Sequence, residues 1–167
     1  DVNSAPQADV VLTVSAIPKT YYKGQWIVIL KDGEFDHYAA DHSIGCPNED
    51  VNMDGTLDEG EDINQDALLT PGNIVNVFGF NTGDNEVEVI TDDKGRAIID
   101  LYYAQSFAQW VDIDLIVSSK VSGTEGYTIS TFTLPVSADD VTDENVGPPT
   151  DSIGGISPFG FTGDCTT

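Results

Sequence analysis

The sequence predicts an all-β fold, an antiparallel β-sandwich carrying one inserted acidic loop. Three observations lead there. About seven or eight short stretches alternate apolar and polar residues, with Gly, Pro, Asp and Asn turn signals between them. No long stretch repeats its apolar residues at helical period. One block, residues 46–72, abandons the alternation for carboxylates and amides.

The elements follow in chain order. Residues 1–8 are polar and turn-like, with no basic or apolar leader pattern. Val10–Ile17 (VVLTVSAI) puts Val10, Leu12, Val14 and Ala16 on one face, and Pro18 is expected to end that strand. Tyr21–Lys31 (YYKGQWIVILK) is aromatic and β-branched around Gly24 and reads as a second strand. Asp32-Gly33 marks a turn, and Phe35–Ala40 a short strand leading to Cys46-Pro47. Beyond the acidic block, Asn73–Phe80 resumes β character. Glu86–Thr91 (EVEVIT) alternates strictly, Asp92–Gly95 is a tight turn, and Arg96–Tyr103 returns as the partner of a hairpin. Ala108–Lys120 places Trp110, Asp112 and Asp114 opposite Val111, Ile113, Leu115 and Val117. Gly123–Gly126 turns the chain into Tyr127–Val136, the last strand. The domain is therefore drawn at residues 1–137, with 138–167 as an extended tail packing over it.

The charge bounds the partners. There are 29 acidic residues against six Lys and Arg, a net charge of −23. Phosphate backbones need clustered cations, so nucleic acid is excluded and anionic membrane surfaces are disfavoured. No apolar run is long enough to span a bilayer as a helix. Such a charge repels itself in the folded state, and either bound divalent cations or a salty medium would offset it. The two cysteines, Cys46 and Cys165, form no CxxC pattern. A chain poor in Lys and rich in Asp, Asn, Gly and Thr points to an extracellular or cell-surface location, where the two would pair as a disulfide.

Residues 49–72 are a tandem repeat. Glu49–Gly60 (EDVNMDGTLDEG) and Glu61–Gly72 (EDINQDALLTPG) align at a period of twelve. Oxygen donors at alternate positions suit a hard cation such as calcium. Asp50, Asn52, Asp54, Thr56 (through its carbonyl), Asp58 and Glu61 stand at positions 1, 3, 5, 7, 9 and 12 of D-x-[DN]-x-[DN]-G-x-[ILV]-x-x-x-E. Gly55 takes the sharp turn at position 6, where a Cβ is expected to clash, and Leu57 is the inward apolar residue. The second frame offers Asp62, Asn64, Asp66 and Leu68 (through its carbonyl), with Thr70 as a further oxygen. It departs twice: Ala67 replaces the glycine and Asn73 stands where the glutamate belongs. A weaker second ion is expected there, or a half-site sharing ligands with the first, since the adjacent Glu61 and Asp62 could serve neighbouring ions. The first stretch resembles an EF-hand loop, but Gly45-Cys46-Pro47 before it and Thr70-Pro71-Gly72 after it support no flanking helices. It resembles the EF-type loops without the helix pair that occur in dockerins and thrombospondin type 3 repeats. That resemblance implies a structural ion and no sensor-type opening.

At family level the chain resembles bacterial Ig-like domains of the invasin and intimin type. The turn Thr91–Ala97 (TDDKGRA) and the stretches Tyr102–Val111 (YYAQSFAQWV), Val121–Glu125 (VSGTE) and Phe132–Pro135 (FTLP) carry the likeness, the last three resembling a subset with a calcium-loop insertion. The resemblance implies an Ig-like sandwich that serves as spacer, adhesive module or assembly subunit.

No enzyme is expected. His37 and His42, the only histidines, read as surface residues in an acidic loop and not as a dyad or a zinc site with Cys46. No nucleophile-elbow, zincin or phosphate-loop motif occurs. The expected role is a calcium-stabilised structural subunit of a cell-surface assembly or filament, associating with itself or with other surface proteins. Strand exchange is suggested because the sandwich is short of an early strand while Val10–Ile17 follows a polar leader. Trp26, Trp110 and the tyrosines also allow a calcium-dependent adhesin or glycan-binding module, and a passive spacer is the plainest alternative.

Overall fold

The computed structural model describes residues 6–83, 86–121, 124–151, 154–161 and 163–166. The fold is all-β and antiparallel in its described pairings. Among the described residues there are eight strands: β1 (Val11–Lys31), β2 (Glu34–Pro47), β3 (Val75–Phe78), β4 (Phe80–Gly83), β5 (Glu86–Ile90), β6 (Asp100–Tyr103), β7 (Val111–Val121) and β8 (Thr124–Thr133). Single 3-10 turns occur at Gln105–Phe107 and Ala138–Asp140. Six strands hydrogen-bond in the order β4-β5-β1-β7-β8, with β2 also on β1, and β3 pairs with β6 separately.

Two compact units divide the chain, and β1, β7 and β8 each contribute to both. The first contains residues 1–17, 75–102 and 114–131. Val11–Ser15 of β1 pairs with β5 in register Val11↔Ile90 to Ser15↔Glu86. The pairing is prolonged at Thr91, whose N–H donates to the Val10 carbonyl and whose carbonyl accepts from Asp9. Val14, Ala16, Val75 and Val87 are buried here, while Phe78, Tyr102 and Ile98 stay exposed.

The second unit contains residues 18–74, 103–113 and 132–167. It holds nearly all the large buried side chains: Tyr21, Trp110, Ile113, Leu134 and Val111. Trp26 meets Trp110 edge-on at 5.7 Å between ring centroids. The C-terminal segment lies along β1: Trp26 N–H donates to Gly155 O, Gly24 N–H to Gly160 O, and Lys23 Nζ to Asp164 O. Cys46 and Cys165 are joined in a disulfide.

Three expectations about elements are corrected. Pro18 does not end the first strand. β1 runs through it because Pro18 falls between the β5 ladder, which stops at Ser15, and the β2 ladder, which starts at Thr20, so its missing N–H costs no bond in either. Glu86–Ile90 does not pair with Arg96–Tyr103. Both edges of β5 are already taken, by β1 and β4, so only Asp100–Tyr103 forms a strand and it pairs with β3. The last strand also begins earlier than expected, at Thr124. Of the expected turn at Gly123–Gly126, residue 123 lies outside the described residues and 124–126 are already strand.

Candidate metal centre

Between β2 and β3 in sequence, residues 48–74 belong to the second unit and contain no strand or helix. Its entrance is fixed at several points. Cys46 sits in the disulfide, Asn48 N–H donates to the Lys19 carbonyl, and Asn48 Nδ2 donates to the Pro18 carbonyl. Glu49 N–H donates to the Thr70 carbonyl, which ties the block's two ends together.

In the first loop the side-chain oxygens are turned onto the loop's own amides. Asp50 Oδ1 accepts from Asp54 N–H at 3.1 Å and Oδ2 from Gly55 N–H at 2.9 Å. Asn52 Oδ1 accepts from Asp54 N–H, and Asp54 Oδ1 from Thr56 N–H. Asn52 Nδ2 donates to both Asp54 Oδ2 and Asp58 Oδ2. Glu61 reaches back across the loop: Oε1 accepts from Val51 and Asn52 N–H, and Oε2 from Asp58 N–H at 3.0 Å. Asp50, Asn52, Asp54, Asp58 and Glu61 are thus brought together, and Thr56 enters through its backbone.

The second loop repeats this almost bond for bond. Asp62 accepts from Asp66 and Ala67 N–H, Asn64 Oδ1 from Asp66 N–H, and Asp66 Oδ1 from Leu68 N–H. Asn64 Nδ2 donates to Asp66 Oδ2 and to Thr70 Oγ1, the counterpart of Asp58. The backbone repeats too. Left-handed φ angles recur at Met53 and Gln65 (63° and 61°), Gly55 and Ala67 (73° and 64°), and Gly60 and Gly72 (95° and 70°). Leu57 and Leu69 are both half-buried.

Two findings go beyond the sequence reading. The space beside Gly55 is open, with nothing within 4 Å of an added Cβ. The expected clash is absent, and glycine is favoured there by its φ alone. The second finding is Glu49, which the loop pattern leaves out. Its Oε1 accepts from Asn64 N–H at 3.1 Å and its Oε2 from Thr70 N–H at 2.9 Å. It holds positions 3 and 9 of the second loop, as Glu61 holds those positions of the first.

The donor set fits a hard cation: it is all oxygen, and much of it carboxylate. Glu49 is 0% exposed and Glu61 6%, and neither forms an ion pair with Lys, Arg or His among the described residues. The field around them is felt by Tyr21, a buried phenol of β1. Burial, then the charges of Glu49 and Asp66, push its pKa up to about 12. Among the described residues, no three Asp, Glu, His or Cys side chains are already gathered as a metal cluster. The loop amides occupy the carboxylates instead.

The histidines lie apart from this chemistry. His37 Nδ1 bonds its neighbour Asp36 at 2.7 Å, and His42 stacks on Tyr22 at 4.0 Å. Cys46, being in the disulfide, offers no thiolate to either. No family model matches this chain, and neither does any curated protein or solved structure.

Proposed function

We propose that the protein is a non-enzymatic, extracellular structural subunit: an Ig-like domain stabilised by calcium and built into a cell-surface assembly. The observation that carries the calcium reading is the period-twelve pair of loops, which place chemically equivalent oxygens at Asp50, Asn52, Asp54 and Asp62, Asn64, Asp66 on superposable backbone turns. With 29 acidic residues in the chain, a divalent ion held there relieves repulsion and adds its binding energy to folding. The loops lack flanking helices, so the ion acts as a staple for the segment between β2 and β3.

The assembly reading is supported by β8. It ends the hydrogen-bonded order, and residues 125–131 are exposed, Tyr127 and Ile129 among them. Among the described residues no further strand pairs with it, and a long edge strand without Lys or Pro is suited to pairing with a strand of another copy. The disulfide agrees with an oxidising compartment.

Thermal unfolding with calcium and with EDTA, together with the molar mass in solution, tests both parts. Calcium at about a hundred times its dissociation constant adds about 3 kcal/mol per ion. For a chain of this size that raises Tm by about 5–10 °C. An unchanged Tm removes the calcium reading, and a strict monomer at all concentrations removes the assembly reading. The glycan-binding alternative draws on the exposed Phe78–Tyr102 pair, 5.9 Å apart. Glycan-array binding lost with EDTA and with Tyr102→Ala would favour it.

A further inference from the structure

We infer that the two loops bind two calcium ions as one coupled unit, in which Glu49 closes the second loop and Glu61 closes the first. This rests on the calcium reading above and supplies the ligand that the second loop lacks. Position 12 of the first loop is Glu61, whereas position 12 of the second is Asn73. One repeat upstream of Glu61 stands Glu49, and its carboxylate occupies the second loop as Glu61 occupies the first. Glu61 Oε1 takes Asn52 N–H and Oε2 takes Asp58 N–H; Glu49 Oε1 takes Asn64 N–H and Oε2 takes Thr70 N–H. The repeats exchange their glutamates, each closing the other's loop.

Burial is the independent sign that these carboxylates await a cation. Glu49 is fully buried, and each of its oxygens accepts a single N–H. A carboxylate offers about four acceptor sites, so roughly half of this one's capacity is unfilled away from water. No Lys, Arg or His forms an ion pair with it among the described residues. An ionised carboxylate enclosed in this way is costly unless a positive charge meets it. Tyr21, whose phenol feels the Glu49 charge, offers none.

The exchange makes the sites interdependent through the covalent chain. Glu49 is bonded to Asp50, the first ligand of the first loop, and Glu61 to Asp62, the first ligand of the second. An ion in the first loop fixes Asp50, and with it the backbone from which Glu49 projects into the second loop. An ion in the second loop fixes Asp62, and with it Glu61. Each ion therefore preorganises the closing ligand of the other, and the coupling must be equal in both directions.

Calorimetric titration of the calcium-depleted full chain with calcium chloride, read beside native mass spectra, tests this. The wild-type chain should take up two ions. Glu49→Gln should lose the second ion and weaken the first by about tenfold. Glu49 is buried, so circular dichroism checks that this variant still folds. Asp66→Asn and Asp54→Asn alter exposed loop residues and carry the test on their own. Asp66→Asn should weaken the first site by about tenfold, and Asp54→Asn should weaken the second by the same factor. The inference is overturned if the wild-type chain binds only one ion, or if each Asn variant leaves the other site within about twofold of wild type. In both cases the calcium reading itself stands. A wild-type chain that binds no calcium removes both.

Discussion

Gly55 and Ala67 occupy the same place in successive loops, and both have left-handed backbones, with φ of +73° and +64°. A side chain with a Cβ is strained there by about 1–2 kcal/mol, part of which the unfolded chain's entropy offsets on mutation to glycine. Ala67→Gly should therefore stabilise the calcium-free protein by about 1 kcal/mol, and Gly55→Ala should destabilise it by a similar amount. Urea unfolding in EDTA would show this, and two shifts of the same sign would contradict the twelve-residue equivalence. The oxygen-bearing loop positions were legible in the sequence because alternate oxygens are a local pattern. Glu49 was not, because it precedes the frame in which a loop is normally counted and serves the loop beyond its neighbour. The signal that could have found it was the repeat itself: EDVN and EDIN put Glu49 and Glu61 at the same position.

At the scale of elements, β1 shows what local pattern can and cannot reveal. Its alternation at Val10–Ile17 is plain, and Val14 and Ala16 are buried as the pattern requires. That it continues through Pro18 depends on where two partner strands happen to stop, which no local signal encodes. The same limit applied to β5, whose sequence and following turn read as half of a hairpin. The turn is real: the Asp92 carboxylate accepts from Arg96 N–H and then Lys94 N–H, which holds its pKa below the usual range, and Gly95 N–H donates to Asp92 O. The strand after the turn is nevertheless claimed by β3. Gly24 is the sharpest case within β1. The register with β2 shifts between Lys23 and Gly24, and a Cβ at Gly24 would lie 1.9 Å from the Asp41 carbonyl oxygen. The neighbour is backbone and cannot rotate away, so Gly24→Ala must displace the β1–β2 ladder. It should cost at least about 2 kcal/mol, measured by urea unfolding, whereas Gly33→Ala, in open space, should cost only the roughly 1–2 kcal/mol of its left-handed backbone, with φ of +89°.

At the scale of the whole molecule, two properties set the conditions under which it survives. The first is alkaline pH. Burial pushes Tyr21 up to about 12, and a hydrogen bond to Asp112 does the same for Tyr22. Both phenols hold their protons more tightly folded than unfolded, where the ordinary value is about 10. Their contribution is fully present below pH 10 and is lost as pH rises towards 12. Tyr22→Phe should remove part of that alkaline loss, while costing about 1 kcal/mol at neutral pH through the missing bond to Asp112. The second property is the tie between Cys46 and Cys165, which spans 119 residues of sequence. In the chain-entropy view, closing a loop of that length restricts the unfolded ensemble by about 5 kcal/mol, a large fraction of the stability of a typical domain. The tie also fixes Cys46 three residues before Glu49, so it constrains the entrance to the first loop and, through the Glu49 carboxylate, the second loop as well. Reduction should therefore lower Tm in EDTA by about 10–20 °C, at about 2–4 °C for each kcal/mol. Both tryptophans are buried in the unit that holds the loops and the disulfide, so their fluorescence reports on the right region. If calcium and the disulfide act on the same segment, their effects will not add: reduction should cost less when calcium is saturating than when it is absent, or more if the tie preorganises the site. Strict additivity of the two in a four-way comparison of Tm would show that the disulfide holds only the C-terminal segment and leaves the loops alone.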